Sequence, residues 1–213
     1  MASDSTRDCP TLLTWANPVS SVPIRAAAVL FVSGLTAVAA QVSVPLPFTP
    51  VPFTFQTMVV LLGGAVLGAR LGFAAQMTYL ALGIAGLPVF AASAILPQGI
   101  GRLLGPTAGY LIAYPIAAFV AGWLAERGWD RRYLTALLAM TIGLALIFTG
   151  GVLWLAWLAR PVAPGVGAVG LERAIATGLM PFFPADLVKL AVAAAILPGI
   201  WRLTGFQAKS DRS

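Results

Sequence analysis

The last long apolar segment of the chain begins with Pro181-Phe182-Phe183-Pro184-Ala185-Asp186-Leu187-Val188-Lys189-Leu190, and two charged residues lie within this stretch. Asp186 and Lys189 are three residues apart, so they share one face of a helix. No charged residue follows between Leu190 and Trp201. Both charges therefore lie at the start of a segment apolar enough to cross a membrane, where charged side chains usually face a bundle interior or a cavity. The stretch predicts a ligand site at one end of a membrane-spanning helix.

A structural explanation of the same pair stays open at this stage. Proline is favoured in the first turn of a helix because it has no N–H to leave unpaired, and Pro184 fits that position. Asp186 then lies in the first turn, where the helix dipole stabilises a carboxylate. Lys189 could extend its ammonium group to water. The two explanations differ in whether the pair is buried in a cavity.

Composition places the chain among integral membrane proteins. Of its 213 residues, 59% are hydrophobic and 9% are charged, and the mean hydropathy is +0.91. A soluble domain has about 25% charged residues. The apolar runs are longer than the strands of a membrane β-barrel and lack their alternation of apolar and polar residues. We therefore predict an all-α membrane protein with a single domain.

Six apolar segments predict a six-transmembrane-helix bundle over residues 24–204, between a polar N-terminal tail (1–23) and a polar C-terminal tail (205–213). The first segment could instead be a secretory signal cleaved after Ala37-Val38-Ala39, but the long polar segment before it fits a signal poorly. The expected spans are Ala26–Val44, Thr54–Ala69, Leu71–Gly86, 106–125, Tyr133–Ala159 and 184–201.

Two of the connections between these spans are unusually apolar. The segment Pro45–Pro52 has four prolines in eight residues, which excludes a helix and predicts either a lid over the bundle or a rigid connector. Residues 87–103 contain prolines and glycines typical of irregular backbone. Apolar irregular backbone at membrane depth is tolerated where protein covers it or where it lines a cavity. A third connection, residues 160–183, is rich in glycine and proline and contains a predicted surface helix at Glu172–Met180.

The basic residues predict the orientation of the bundle. Positively charged residues accumulate in cytoplasmic loops, and nine of them fall on the side of the two termini, against three on the other side. Both termini are therefore expected to be cytoplasmic, and the three unusual connections are expected outside, around Asp186 and Lys189. The nine are Arg7, Arg25, Arg70, Arg127, Arg131, Arg132, Arg202, Lys209 and Arg212, and the three are Arg102, Arg160 and Arg173.

Several functions are excluded by what the sequence lacks. It has no histidine, and Cys9 is its one cysteine, so we expect no metal site of the usual kind and no disulfide framework. It has no phosphate-binding loop of the form G-x-x-x-x-G-K-[ST], so we expect no ATP hydrolysis. Its basic residues form no stripe with interleaved aromatic residues, so we expect no nucleic-acid binding. A lone carboxylate within the membrane also argues against a membrane enzyme, and no cofactor is expected.

The predicted pocket combines a few polar groups with much apolar surface, which is typical of a small-molecule site. Its ligand is expected to be small and water-soluble, with an apolar body, an N–H donor and an acidic or carbonyl acceptor. The expected substrate-binding residues are Asp186, Lys189, Phe48, Gln56, Phe90, Arg102, Thr107 and Tyr110, with Thr49 nearby.

Four stretches of the chain are distinctive: Gln41–Gln56 with Pro-Val-Pro-Phe-Thr-Phe-Gln-Thr at its end, Gly86-Leu87-Pro88-Val89-Phe90-Ala91, Gly105-Pro106-Thr107-Ala108-Gly109-Tyr110-Leu111, and Pro181–Lys189. Together they resemble the BioY family, the biotin-specific substrate-binding (S) components of energy-coupling factor (ECF) transporters. They cover nearly the whole membrane portion in family order and are specific in combination. Ala185 replaces a glycine that is common in the family, and the Ala-x-x-x-Ala pattern of the first helix is replaced by Val29/Ser33 and Leu30/Gly34.

The resemblance implies a function and partners. It implies that the chain binds biotin from outside the cytoplasmic membrane, with Asp186 and Lys189 contacting the ligand. It also implies assembly with a transmembrane coupling protein (the T component) and a pair of ABC-type ATPase subunits, while biotin is the transported ligand and not a cofactor. The alternative that stays open is a stand-alone secondary carrier for a small carboxylated solute.

Overall fold

The computed structural model describes residues 10–16, 21–44, 46–92, 98–159 and 168–203. Residues 1–9 and 17–20 of the predicted N-terminal tail, Pro45, parts of the second and third connections, and the whole predicted C-terminal tail lie outside the described residues. With them lie Arg7, Arg160, Lys209 and Arg212.

The described residues are mostly helical, with one short pair of strands. The strands β1 (Ser43–Val44) and β2 (Phe53–Thr54) pair antiparallel on either side of the proline-rich connection. The helices are α1 (Leu12–Ala16), α2 (Val22–Gln41), α3 (Gln56–Leu67), α4 (Ala69–Ile84), α5 (Ala108–Ala125), α6 (Tyr133–Leu153), α7 (Leu171–Gly178) and α8 (Phe183–Leu203). Short 3₁₀ helices occupy Ile100–Leu104 and Trp129–Arg131, and a π-helical turn at Trp154–Leu158 extends α6.

Four helices of the described chain are long and apolar enough to cross a membrane: α2, α5, α6 with its π-turn, and α8. The second and third predicted spans are shorter. α3 has 12 residues and α4 has 16, which correspond to about 18 and 24 Å of helix. They are separated only by Gly68, whose φ of +87° is readily adopted by glycine and rarely by other residues. The chain therefore reverses direction in very little space between these two helices.

Small residues bring α3, α4 and α5 into close contact at the centre of the bundle. A side chain at Gly64 would collide with the backbone of Ala118, one at Gly72 with Gly64, and one at Gly122 with the backbone around Gly68. Lipid supplies little hydrophobic driving force between helices, so close backbone packing of this kind stabilises membrane bundles. α5 is the most buried of the long helices.

Helix α2 lies at the edge of the bundle and packs against α4 through buried polar contacts. The hydroxyl of Ser33 donates to the backbone carbonyl of Ala75 at 2.6 Å, and the side-chain amide of Gln76 donates to the hydroxyl of Thr36 at 3.2 Å. The opposite face of α2 is apolar and exposed, as expected of a helix that faces lipid.

The segment predicted as a loose N-terminal tail contains an ordered part. Within α1, Leu12 is buried in the core, and the ring of Trp15 meets that of Trp201 edge to face at 6.2 Å between centroids. Trp201 in turn donates its Nε1–H to Asp130 at 2.6 Å. This part of the segment packs on the bundle because it contains three apolar side chains, Leu12, Leu13 and Trp15. The polar average composition of residues 1–23 did not indicate this packing.

Candidate ligand-binding site

A cavity opens at one end of the bundle, where α3, α5 and α8 begin. The β1–β2 pair and the proline-rich connection form one side of it, and the irregular connection after α4 forms another. Its volume is about 60 Å³, which is small beside the roughly 300–1,000 Å³ of typical ligand pockets. The lining residues are Val51, Pro52, Phe53, Thr54, Gln56, Thr57, Phe90, Ala91, Arg102, Thr107, Tyr110, Leu111, Tyr114, Phe148, Phe182, Asp186 and Lys189.

Asp186 and Lys189 form a buried ion pair in this cavity. The Nζ of Lys189 lies 2.6 Å from Oδ1 of Asp186, and each side chain is 6% exposed. The same ammonium donates to the backbone carbonyl of Thr54 at 2.6 Å and lies 3.7 Å from the centre of the Phe53 ring. Lys189 therefore does not extend to water, and that part of the structural explanation is wrong.

Only one of the two carboxylate oxygens of Asp186 is hydrogen-bonded to the described residues. Its Oδ1 accepts from Lys189 and also from the hydroxyl of Thr57 at 3.2 Å. Its Oδ2 accepts no hydrogen bond from the described residues. A carboxylate oxygen can accept two hydrogen bonds, so Oδ2 remains available to an N–H donor that enters the cavity.

Arg102 is a second cation in the cavity wall and has no acidic partner among the described residues. It lies in the 3₁₀ helix Ile100–Leu104 and is 5% exposed. Its Nε–H is buried without a hydrogen-bond partner in the described chain. Burial lowers the pKa of the guanidinium below its ordinary value, although arginine stays charged in proteins. A buried cation in this position favours a ligand that carries a negative charge.

Aromatic side chains form the apolar wall of the cavity. The Tyr110 hydroxyl donates to the Gly178 carbonyl at 2.8 Å, and its ring meets Phe148 edge to face with centroids 6.4 Å apart. On the other side, Phe90 packs edge to face on Tyr79 at 5.6 Å. These contacts hold the rings in fixed orientations at the cavity wall, where aromatic surface suits an apolar ligand body.

Seven of the eight predicted site residues line the cavity: Asp186, Lys189, Gln56, Phe90, Arg102, Thr107 and Tyr110. Phe48 does not, and the structure corrects its placement. The backbone of Thr49 bonds to that of Leu46 at 3.4 Å, which makes a turn with Phe48 at its exposed tip. Gln56 lines the cavity but is partly committed, because its amide donates to the Tyr79 hydroxyl at 2.7 Å.

Several lining residues were not predicted from the sequence. Thr57 binds the carboxylate of Asp186, and the Thr54 carbonyl accepts from Lys189. Tyr114 follows Tyr110 by four residues on α5, so helical periodicity from Tyr110 could have identified it. Phe148 is central in an uninterrupted apolar span, and no local sequence signal separates it from its lipid-facing neighbours.

Comparison with known proteins identifies the family. The family model for BioY matches residues 14–206. A protein of Pyrococcus horikoshii named as a probable biotin transporter BioY is 46% identical over 167 residues, which cover 78% of this chain and 89% of the relative. The biotin transporter BioY of Thermotoga maritima is 39% identical over 164 residues, which cover 77% and 88% of the two chains.

A solved structure has the same fold. It is the S-component for biotin from an ECF-type ABC transporter, which aligns with a TM-score of 0.72 at 22% identity over 86% of this chain and 95% of its own. The relatives are named as transporters and not as enzymes, and four helices here have membrane-spanning length. This chain is a multi-pass membrane protein and belongs to the BioY family.

Proposed function

We propose that the chain binds biotin in the cavity around Asp186 and Lys189 and acts as the substrate-specific subunit of an ECF transporter. The observation that carries the proposal is the buried ion pair in the cavity wall, in which Oδ2 of Asp186 accepts no hydrogen bond from the described residues. Membership of the BioY family and the names of its relatives support biotin as the ligand.

The chemistry of biotin matches the groups in the cavity. Its ureido ring carries two N–H donors and a carbonyl, its body is apolar, and its side chain ends in a carboxylate. An N–H of the ureido ring would donate to Oδ2 of Asp186, while Lys189 would donate to the ureido carbonyl. The apolar body would pack on Tyr110 and Phe90. The carboxylate would pair with Arg102, which gives this buried cation the acidic partner that the described residues do not provide.

Biotin binding requires the cavity to widen from about 60 Å³. Two hydrogen bonds hold its outer wall in place: Lys189 binds the Thr54 carbonyl at 2.6 Å, and the Thr49 hydroxyl binds the Thr177 carbonyl at 2.7 Å. When Lys189 turns its ammonium to the ligand, its bond to Thr54 is exchanged for a bond to biotin, so the wall can move without leaving the charge unpaired.

The proposal includes a topology and a location. Residues 24–204 form one membrane domain of six spans, in which α3 and α4 are the two short ones. Both termini, with the tails at 1–23 and 205–213, are cytoplasmic, and the cavity faces outward across the cytoplasmic membrane. Cations at the end of the bundle opposite the cavity, among them Arg25, Arg70 and Arg202, support this orientation.

The proposed partners are a transmembrane coupling protein and ABC-type ATPase subunits. The chain has no phosphate-binding loop, so the energy for uptake must come from another subunit if this chain is not a secondary carrier. Uptake of labelled biotin, measured with and without the partner subunits in cells that lack other biotin transporters, distinguishes an ECF subunit from a stand-alone secondary carrier. We expect uptake to require the partner subunits. We also expect purified chain to bind biotin without hydrolysing ATP. Hydrolysis above background by this chain alone would contradict the proposal.

A further inference from the structure

A second cavity lies at the opposite end of the bundle from the site described above. It is a cleft of about 650 Å³ between α1, the start of α2, the α3–α4 junction and the end of α5. Thr11 and Thr14 supply hydroxyl groups to its wall, and Arg25 and Arg70 supply positive charge. The N-terminal ends of α2 and α4 and the C-terminal ends of α3 and α5 meet at this side. Their dipoles largely offset one another, so the positive potential comes from the arginines.

Glu126, the acidic residue that lines the cleft, is already hydrogen-bonded to the backbone of α4. Oε1 of Glu126 accepts the backbone N–H of Ala69 at 2.9 Å and so caps the start of α4. Arg70 follows directly, and its side chain makes no hydrogen bond or ion pair with any residue in the described part of the chain. Arg127 is held beside the cleft, with its guanidinium carbon 3.4 Å above the ring centre of Trp123. Among the described residues that line the cleft there are two arginines and one carboxylate, and that carboxylate is already bonded to Ala69.

An apolar groove continues from this cleft along the outside of the bundle. Its volume is about 350 Å³, and it is lined by Arg70, Phe73, Ile116 and Phe119. Arg70 and Phe119 belong to both spaces. Phe73 and Phe119 are each 39% exposed and Ile116 is 53% exposed, on the surfaces of two helices that run side by side. The groove is thus a strip of apolar surface with a cationic site at one end.

We propose that this cleft and groove bind an anionic phospholipid, with the phosphate group at Arg70 and one acyl chain along Phe73, Ile116 and Phe119. Arginine recognises phosphate through several N–H donors in one plane. Trp123, which is 42% exposed at the same level, is of a type enriched at the boundary between headgroups and acyl chains. A soluble anion would use the cleft alone and would leave the apolar groove unfilled. Neither the cleft nor the groove shares a lining residue with the cavity around Asp186 and Lys189.

The test compares phosphatidylglycerol with phosphatidylcholine of the same acyl chains, each added as mixed micelles to the purified chain. We expect phosphatidylglycerol to raise the melting temperature more than phosphatidylcholine does. Arg70→Gln should lose most of that difference. Arg202→Gln is the matched control, because it removes the same charge from an exposed position in the last turn of α8, outside the cleft, and it should keep the full difference.

Two further measurements identify what occupies the site. Ile116→Trp fills the groove without changing the charge, and it should reduce the number of phosphatidylglycerol molecules retained in native mass spectrometry. Inorganic phosphate should not raise the melting temperature. The proposal fails if both lipids stabilise equally, if Arg70→Gln and Arg202→Gln behave alike, or if phosphate alone reproduces the effect. It also fails if Arg70→Gln abolishes binding of the coupling protein while the lipid response stays intact.

Discussion

The two charges of Asp186 and Lys189 are buried together, and this makes them sensitive to substitution in different ways. Removing one member of a buried pair leaves an uncompensated charge, which typically costs about 3–5 kcal/mol. Asp186→Asn is milder, because the amide oxygen can still accept from Lys189 and Thr57, which both bind Oδ1 here. The substitution instead removes the negative charge that a ligand N–H would meet. It therefore tests binding with less disturbance of the fold.

Arg102 gives a prediction about the ligand's charge. If its guanidinium pairs with the carboxylate of biotin, Arg102→Gln should weaken biotin binding by about tenfold to a hundredfold, since charge-assisted hydrogen bonds contribute roughly 1.5–3 kcal/mol. The same variant should have little effect on biotin amide, which has no negative charge. Equilibrium titration with both ligands measures the difference. An equal loss for both would show that Arg102 acts on the fold of the cavity and not on the carboxylate.

At the level of residues, charge was the most informative sequence signal. Asp186, Lys189 and Arg102 could be predicted because a charged side chain in an apolar segment is costly unless it faces the interior of the bundle or a cavity. Thr57 could not, because threonine is common at the start of helices and its hydroxyl gains significance only next to Asp186. Phe48 is a predicted site residue that does not line the cavity, because it lies at the exposed tip of a turn. That turn depends on backbone geometry that its neighbours do not specify.

Among the elements, the proline-rich connection is the one that most clearly holds the cavity closed. Its described part, residues 46–52, crosses from β1 to β2 and is fixed to α7 by the Thr49 hydroxyl, which donates to the Thr177 carbonyl and accepts the Val51 N–H at 3.1 Å. This bond joins the first and third connections across the mouth of the cavity. Releasing it should make the wall easier to open.

Thr49→Val tests this role of the connection. Valine keeps the shape of threonine but lacks the hydroxyl, so the bond to α7 is lost. Since one hydrogen bond contributes about 0.5–1.5 kcal/mol, we expect biotin to dissociate about twofold to tenfold faster. Thr177→Val is the matched control, because its backbone carbonyl still accepts from Thr49, while its own hydroxyl donates only within α7 to Arg173. Equal dissociation rates for the two variants would contradict the role given to Thr49.

The helical character and the order of the long apolar segments could be predicted, and their ends less well. Tyr133–Ala159 was expected as one span and forms α6 with its π-turn. The first span was expected from Ala26, but α2 begins at Val22 with a proline in its first turn, because Arg25 does not interrupt a helix that starts at the membrane surface. The break between the second and third spans was expected at Arg70 and lies two residues earlier, at Gly68. The positive φ of that glycine is a property of the close packing around it, which the sequence pattern does not show.

On the scale of the whole molecule, the two ends of the bundle differ in chemistry. The cavity end carries the β1–β2 pair, the described parts of the irregular connections and the cations Lys189, Arg102 and Arg173. The opposite end carries Arg25, Arg70, Arg127, Arg131, Arg132 and Arg202. This asymmetry is the physical basis for placing the termini in the cytoplasm.

The orientation is tested by labelling from outside the cell. Single cysteines replace Ser3 or Ser210 in a chain without Cys9, and intact cells are treated with a thiol reagent that does not cross the membrane. We expect neither position to react until the cells are opened. A cysteine replacing Phe48, at the exposed tip of the proline-rich connection, serves as the positive control and should react in intact cells. Labelling of Ser3→Cys or Ser210→Cys in intact cells would overturn both the orientation and the outward-facing cavity.

The most direct test of the binding site is a biotin titration of Asp186→Asn and Lys189→Met, paired with thermal melts of the ligand-free proteins. If the pair binds biotin, each substitution should weaken affinity by about tenfold to a hundredfold, given roughly 1.5–3 kcal/mol for each charge-assisted bond. The ligand-free proteins should still unfold cooperatively. If affinity is unchanged while the melting temperature of the ligand-free protein falls, Asp186 and Lys189 are structural and the site lies elsewhere.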